Sequence, residues 1–199
     1  MRPEKTTSTG IEHIPLVMVR DHLRDLPVHA PPAGVTVRSY RRGEQPSWAR
    51  VETCAGEFPT IGRALEHFAR EFGQHEDEME RRCLFAIDDR DGTPVGTATA
   101  WYDAGRGPEW GRLHWVGVVP EWQGNGIGRS LVSAALRRMA AAHSKAYLTT
   151  QTTSVAAVRI YLDIGFEPCL ESPGCRDGWR LMATLLSHPM LETRRWEMP

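Results

Sequence analysis

Residues 112–139, RLHWVGVVPEWQGNGIGRSLVSAALRRM, constrain this chain more than any other stretch. Residues 113–119 read as an apolar strand, Pro120 as a turn, and Gln123-Gly124-Asn125-Gly126-Ile127-Gly128 as a loop with glycine at every second position. A long amphipathic helix follows. Ile127, Leu131, Ala135 and Met139, joined by Val132, Leu136 and Ala140, form its core stripe; Arg129, Ser133, Arg137 and Arg138 lie outside it. Alternating glycines at a strand-to-helix junction let the backbone approach a ligand closely and aim N–H groups at it. The helix adds its own unbonded N–H groups and the positive end of its dipole. Such a junction binds anions, phosphate above all.

The rest of the chain frames this junction. Residues 35–40 alternate like a strand, 45–55 read as a helix with Trp48 and Val51 on one face, and 61–80 as a second helix with Leu65, Phe68, Ala69 and Phe72 buried. Residues 83–87 and 95–101 form two strands around an Asp91-Gly92 turn, which with the strand at Leu113 make an antiparallel meander. Residues 146–150 are the next strand, so the glycine-loop helix is a crossover between parallel strands. Ser154 caps a helix running through Leu162, Gly165 ends it, and residues 166–168 and 179–185 supply two closing strands. The fold class is therefore α/β with a mixed, mostly antiparallel sheet. A doubly wound nucleotide fold would alternate strand and helix from its start, and this chain does not. The expected organisation is an arm over 1–34, partly disordered and packed on the domain or on a partner subunit of a homodimer, one domain over 35–187, and a tail over 188–199.

With 199 residues and 41% apolar composition, the chain can bury one sizeable core. A net charge of −1 offers no bulk attraction to nucleic acid or an anionic membrane, and no apolar run is long enough to span a bilayer. The N-terminal ten residues are polar and lack the apolar segment of a signal peptide, which points to the cytoplasm. The four cysteines show neither a CxxC pair nor zinc-type spacing and read as reduced thiols, so no metal is expected.

The loop matches neither common nucleotide motif. Arg129 stands where a dinucleotide fingerprint has its third glycine, and no Lys-Ser/Thr follows as a P-loop requires. Two segments together are more specific: Val118-Val119-Pro120-Glu121-Trp122-Gln123-Gly124-Asn125-Gly126-Ile127-Gly128, and Ala157-Val158-Arg159-Ile160-Tyr161-Leu162-Asp163-Ile164-Gly165-Phe166. In this order and spacing they resemble the GNAT N-acyltransferase superfamily, whose patterns are V-x-P-x-x-(Q/R)-G-x-G-(I/L)-G and A-x-x-x-Y-x-x-x-G-F. The resemblance covers residues 95–168 most fully and extends over 35–185.

That resemblance implies an acetyl-CoA-dependent N-acetyltransferase acting on a small-molecule or peptide amine. Gly124, Asn125, Gly126, Ile127, Gly128 and Arg129 would wrap the pyrophosphate of acetyl-CoA. The central strand would splay from its parallel neighbour, with the pantetheine pairing to Val116, Gly117 and Val118, and Gly117 suits a bulge there. The Val118 N–H would stabilise charge on the thioester carbonyl, and Tyr161 would protonate the departing thiolate. Ser154 replaces the family's usual asparagine, retaining a cap. No glutamate stands on the strands where several members carry a general base. His114, alternating onto the face of Val116, is the best local base, with Asp103 and Glu109 weaker. No cysteine falls in either motif, which disfavours a covalent route. The alternative is a CoA-binding regulatory module without turnover. Trp101, Tyr102, Trp110 and Trp115 would line an aromatic acceptor cleft if they converge.

Overall fold

The computed structural model describes residues 10–102, 105–171 and 174–192. The chain forms two compact units, one of Leu23–Ala146 and one of Met1–His22 with Tyr147–Pro199. Disorder at the N-terminus is an expectation for residues that, up to residue 9, lie outside the described ones.

The Leu23–Ala146 unit holds strands β2 (Val35–Ser39), β3 (Cys83–Asp88), β4 (Pro94–Tyr102) and β5 (Trp110–Val118). They pair in sequence order and antiparallel throughout, as the turn signals imply. Helices α1 (Gln45–Cys54), α2 (Ile61–Phe72), α3 (Glu76–Arg82) and α4 (Ile127–Met139) accompany them. The single helix expected over 61–80 is two, broken around Gly73 and restarted after His75. Within α2 the buried residues are Ala64, Phe68 and Phe72, while Ala69 is exposed, because the stripe follows the i, i+4, i+8 row.

Two glycines on neighbouring strands report which helix covers which face. A Cβ on Gly96 would press on Leu131 and Ile127 of α4, whereas one on Gly117 would press on Glu52 and Ala55 at α1. Gly96 pairs with Val118 and Thr97 with Gly117, and successive strand residues face opposite ways, so α4 and α1 cover opposite faces. The α1 face carries an aromatic core of Tyr40, Trp48, Phe68, Phe72 and Phe85. On α4, Ser133 is buried rather than outside the stripe. Its hydroxyl donates to Pro27 C=O at 2.6 Å and accepts the His29 N–H at 3.2 Å, tying down the proline-rich connection.

The second unit contains β1 (Pro15–Arg20), β6 (Lys145–Gln151, beginning at the unit boundary), α5 (Val155–Asp163), β7 (Glu167–Cys169), α6 (Cys175–Leu185) and α7 (Pro189–Glu192). Here the sequence reading needs its largest correction. Residues 179–185 are not a closing strand but most of α6, whose buried Cys175, Gly178, Trp179 and Met182 fall at helical intervals. The strand beside β7 is instead β1, which lies between β6 and β7 and pairs antiparallel with β7 through Val17–Cys169, Met18–Pro168 and Val19–Glu167. Gly178 lets α6 approach this strand closely, since a Cβ there would lie 2.7 Å from Leu16. The α/β class with mostly antiparallel strands is as expected; the origin of one strand is not. All four cysteines are free thiols.

If β1 is an integral strand, truncating its fully buried Met18 to alanine should cost about 2–5 kcal/mol. Urea denaturation of the variant beside the parent checks this; a loss below about 0.5 kcal/mol would mark β1 as a loosely held arm.

Candidate active site

The phosphate-type junction has the local geometry its sequence implies. Gly124 and Gly126 adopt left-handed φ values of 78° and 85°, and a Cβ on either would meet no atom within 4 Å. Glycine is thus required there by conformation rather than by space. Gly126 is the N-cap of α4, and the first intrahelical bond runs from Ser130 N–H to Gly126 C=O, so the N–H groups of Ile127, Gly128 and Arg129 precede the helical ladder. Asn125 leans back on the loop, its amide donating to Trp122 C=O at 3.4 Å and Gln123 C=O at 3.3 Å. Left-handed glycines, a helix N-terminus and an exposed loop fit a pyrophosphate of the acetyl-CoA type.

The strand feeding this loop is bulged, though not at Gly117. Thr99 opposes His114 and Thr97 opposes Gly117, so β5 carries one more residue between these pairs than β4. The irregular residue is Trp115, with φ of 50°. Gly117 instead accommodates close approach: a Cβ there would lie 3.1 Å from Glu52 Oε1 and 3.2 Å from Ala55 Cβ. The extra residue also reverses parity. Thr97 and Thr99 share a face, so His114 shares the face of Gly117, not of Val116. Beyond the bulge, Val119 N–H bonds Val95 C=O at 2.9 Å, and backbone directions alternate, so the Val118 N–H points to the strand's other edge. Gln123 Nε2 donates to the Val118 C=O on that same edge at 2.9 Å.

Two glutamates that strand-based reasoning overlooked come from the helices on this face. Glu71 of α2 accepts from His114 Nε2 (2.7 Å), Trp115 Nε1 (3.0 Å) and His67 Nε2 (2.6 Å). Burial alone would raise its pKa, but the hydrogen bond and electrostatic attraction of His114, followed by the Trp115 and His67 bonds, outweigh that and hold the carboxyl down to about 2. His114 moves below its ordinary 6.5, because burial, together with the charges of Arg112 and His67, disfavours the imidazolium more than Glu71 favours it. At pH 7 Glu71 is the ionised member and His114 the neutral one.

Glu52 is the opposite case. It is fully buried on α1, and neither carboxyl oxygen has a hydrogen-bond partner among the described residues. Burial first, and the charge of Glu57 second, push its pKa well above 4.5, so it is a neutral carboxylic acid under the bulged strand. Its sequence signal was a charge inside the Trp48–Val51–Ala55 apolar row; that of Glu71 was a carboxylate one helical turn after His67.

The other expected residues are distributed as follows. Tyr161 lies on α5 in the second unit, 7% exposed, its ring 6.0 Å from that of Phe166. Ser154 precedes α5, but its hydroxyl accepts from Gln151 Nε2 at 2.8 Å and makes no cap bond, so the expected side-chain cap is absent. Asp103 lies outside the described residues. Glu109 uses its backbone carbonyl to accept from Ser144 and Lys145 N–H. The four aromatic residues do not converge. Trp115 packs between Trp48 and Phe58, Trp101 against Phe72, and Trp110 beneath the cations of Arg106 and Lys145, while Tyr102 takes the Arg82 guanidinium on its ring.

Comparison with known proteins shows the family and the fold. The model of the Acetyltransferase (GNAT) family matches residues 48–166. The chain belongs to that family. Mycothiol acetyltransferase of Streptomyces bingchenggensis is 32% identical over 158 residues, covering 71% of this chain and 46% of that one. Mycothiol acetyltransferase of Saccharopolyspora erythraea is 32% identical over 139 residues, 68% of this chain and 44% of the other. The chain thus spans about half the length of these curated relatives. Among solved structures, a GCN5-related N-acetyltransferase from Sphaerobacter thermophilus superposes with a TM-score of 0.64 at 22% identity, over 79% of this chain and 49% of that one, which shows the shared fold.

The neutral acid at Glu52 has a consequence for stability. In the unfolded chain it ionises above about 4.5, whereas in the fold it stays protonated. Its contribution is therefore most favourable below pH 4.5 and is lost as pH rises toward the raised folded value, at about 1.4 kcal/mol per pH unit. Glu52→Gln removes that slope. Urea midpoints measured from about pH 5 to 7 should fall less for the variant than for the parent; parallel curves would mean that Glu52 is ionised in the fold.

Proposed function

We propose that this chain transfers the acetyl group of acetyl-CoA to a primary amine by direct attack on the thioester. The observation that carries this reading is the bulged β5 leading into two left-handed glycines at the N-terminus of α4, within a chain of the GNAT family. Gly124, Asn125, Gly126, Ile127, Gly128 and Arg129 hold the pyrophosphate, and the β5 backbone at Val116, Gly117 and Val118 holds the pantetheine, with Ser154 a further contact.

In this mechanism an acceptor ammonium gives a proton to His114, which is neutral near pH 7 and therefore competent as a base. The amine lone pair forms the N–C bond, and the Val118 N–H stabilises the negative charge on the carbonyl oxygen. Collapse breaks the C–S bond, with sulfur keeping the electron pair. Tyr161 offers the thiolate a hydrogen bond and a proton. A tyrosine near ~10 is a weaker acid than a thiol near ~8.5, so the bond matters as much as the transfer. The acceptor is a small-molecule amine, and the names of the relatives direct attention to mycothiol-related amines.

Release of free thiol from acetyl-CoA, followed colorimetrically against a panel of amines that includes mycothiol precursors, tests this reading. Thiol release should require an amine and yield its N-acetyl product by mass spectrometry. Tyr161→Phe should lower kcat about 10²-fold with acetyl-CoA still bound. A chain that binds acetyl-CoA but acetylates no amine would be a CoA-binding module instead.

A further inference from the structure

We propose that Glu71 is the positioning residue for His114: it fixes which imidazole nitrogen carries hydrogen, and thereby makes Nδ1 the nitrogen that accepts the substrate's proton. The inference rests on the acetyltransferase reading for its reaction and on hydrogen-bond geometry for its assignment.

The assignment follows from counting donors. Arg70 Nη2 lies 2.6 Å from His67 Nδ1, and a guanidinium can only donate, so His67 Nδ1 is an acceptor. With Nδ1 accepting, the hydrogen of His67 is on Nε2, which faces Glu71 Oε2 at 2.6 Å. The indole of Trp115 can only donate, and it donates to that same oxygen. An ionised Glu71 is an acceptor at both oxygens, so the nitrogen facing Oε1, His114 Nε2 at 2.7 Å, must also carry hydrogen. A neutral imidazole holds one N–H, which leaves the lone pair of His114 on Nδ1. His67 cannot serve as the base, because Arg70 occupies its acceptor nitrogen. Four side chains thus converge on one tautomer of one histidine.

The local fold enforces this arrangement. Trp115 sits in the left-handed region at the bulge, and its ring is held by Phe58 at 5.1 Å and Trp48 at 5.5 Å. The irregularity that shapes the strand beside the loop also aims an indole N–H at the carboxylate that orients the base. The charged or titratable groups acting on His114 are Glu71 and His67 from α2 and Arg112 from its own strand, with Arg70 reached through His67. Glu52, from α1, is neutral on the same face.

In the reaction, Nδ1 takes one proton from the substrate ammonium, and the imidazolium so formed donates Nε2–H to the Glu71 carboxylate. The freed lone pair makes the N–C bond and the C–S bond breaks toward sulfur. The second proton lost by nitrogen replaces the one that sulfur receives, and His114 returns its proton to solvent. No oxidant or further reactant is needed.

Two readouts test the dyad. In ¹⁵N-histidine-labelled protein, NMR should show His114 as the Nε2–H tautomer, and Glu71→Gln should abolish that preference. In steady-state assays, Glu71→Gln should lower kcat at least tenfold, leave KM for acetyl-CoA unchanged, and move the acid limb of the kcat/KM profile to lower pH, since the imidazole loses its anionic partner. Glu71→Asp, which keeps the charge, should recover part of both effects. An Nδ1–H tautomer in the parent, an unchanged kcat in Glu71→Gln, or a lowered kcat with an unmoved acid limb would overturn the proposal. A parent that turns over no amine would overturn the acetyltransferase reading, while the tautomer measured on the same sample still decides the hydrogen-bond assignment.

Discussion

One extra residue in β5 determines much of what the Leu23–Ala146 unit can do. Because Trp115 takes a left-handed conformation, β5 carries one residue more than β4 between His114 and Gly117, and the facing of every side chain before the bulge is inverted relative to those after it. His114 consequently faces α2, where Glu71 receives it, and Gly117 faces α1, where only a missing Cβ leaves room for Glu52. A left-handed conformation at a bulky residue is disfavoured and persists only where its surroundings over-determine it. Here the surroundings are the aromatic rings of Trp48, Phe58 and His67 and the bond to Glu71.

The two glutamates beside this strand illustrate how strongly placement decides protonation. Both lie on helices covering the same sheet face. Glu71 is met by three N–H donors and stays ionised despite burial, while Glu52 is met by none among the described residues and stays neutral. Pairs of carboxyl groups whose environments drive their protonation apart are a familiar sign of divided chemical labour.

Much of this was legible in the sequence. The glycine spacing, the following helix and the Ala157–Phe166 segment carried the family resemblance, and most strands and helices followed from apolar periodicity and turn residues. What was hidden had physical reasons. Strict alternation along β5 placed His114 with Val116, and a bulge formed by tryptophan rather than glycine carries no composition signal. A carboxylate was sought on the strands themselves, yet Glu71, which meets His114, arrives from a helix 43 positions away in sequence. Residues 179–185 are short enough to suit either period, and only Cys175 and Gly178 upstream complete the helical pattern.

The placement of β1 also bears on how the chain comes to be folded. Ile14 donates its N–H to Thr152 Oγ1 across 138 positions, and β1 lies beside β7 at Glu167–Cys169. During synthesis β1 therefore emerges long before the residues it pairs with, and its apolar Leu16 and Met18 stay uncovered until nearly the whole described chain has left the ribosome. Contacts of such sequence separation slow folding and lengthen the time that an unpaired strand edge is open to other chains. The second unit thus joins segments made far apart in time, and it is completed only after the Leu23–Ala146 unit has been synthesised.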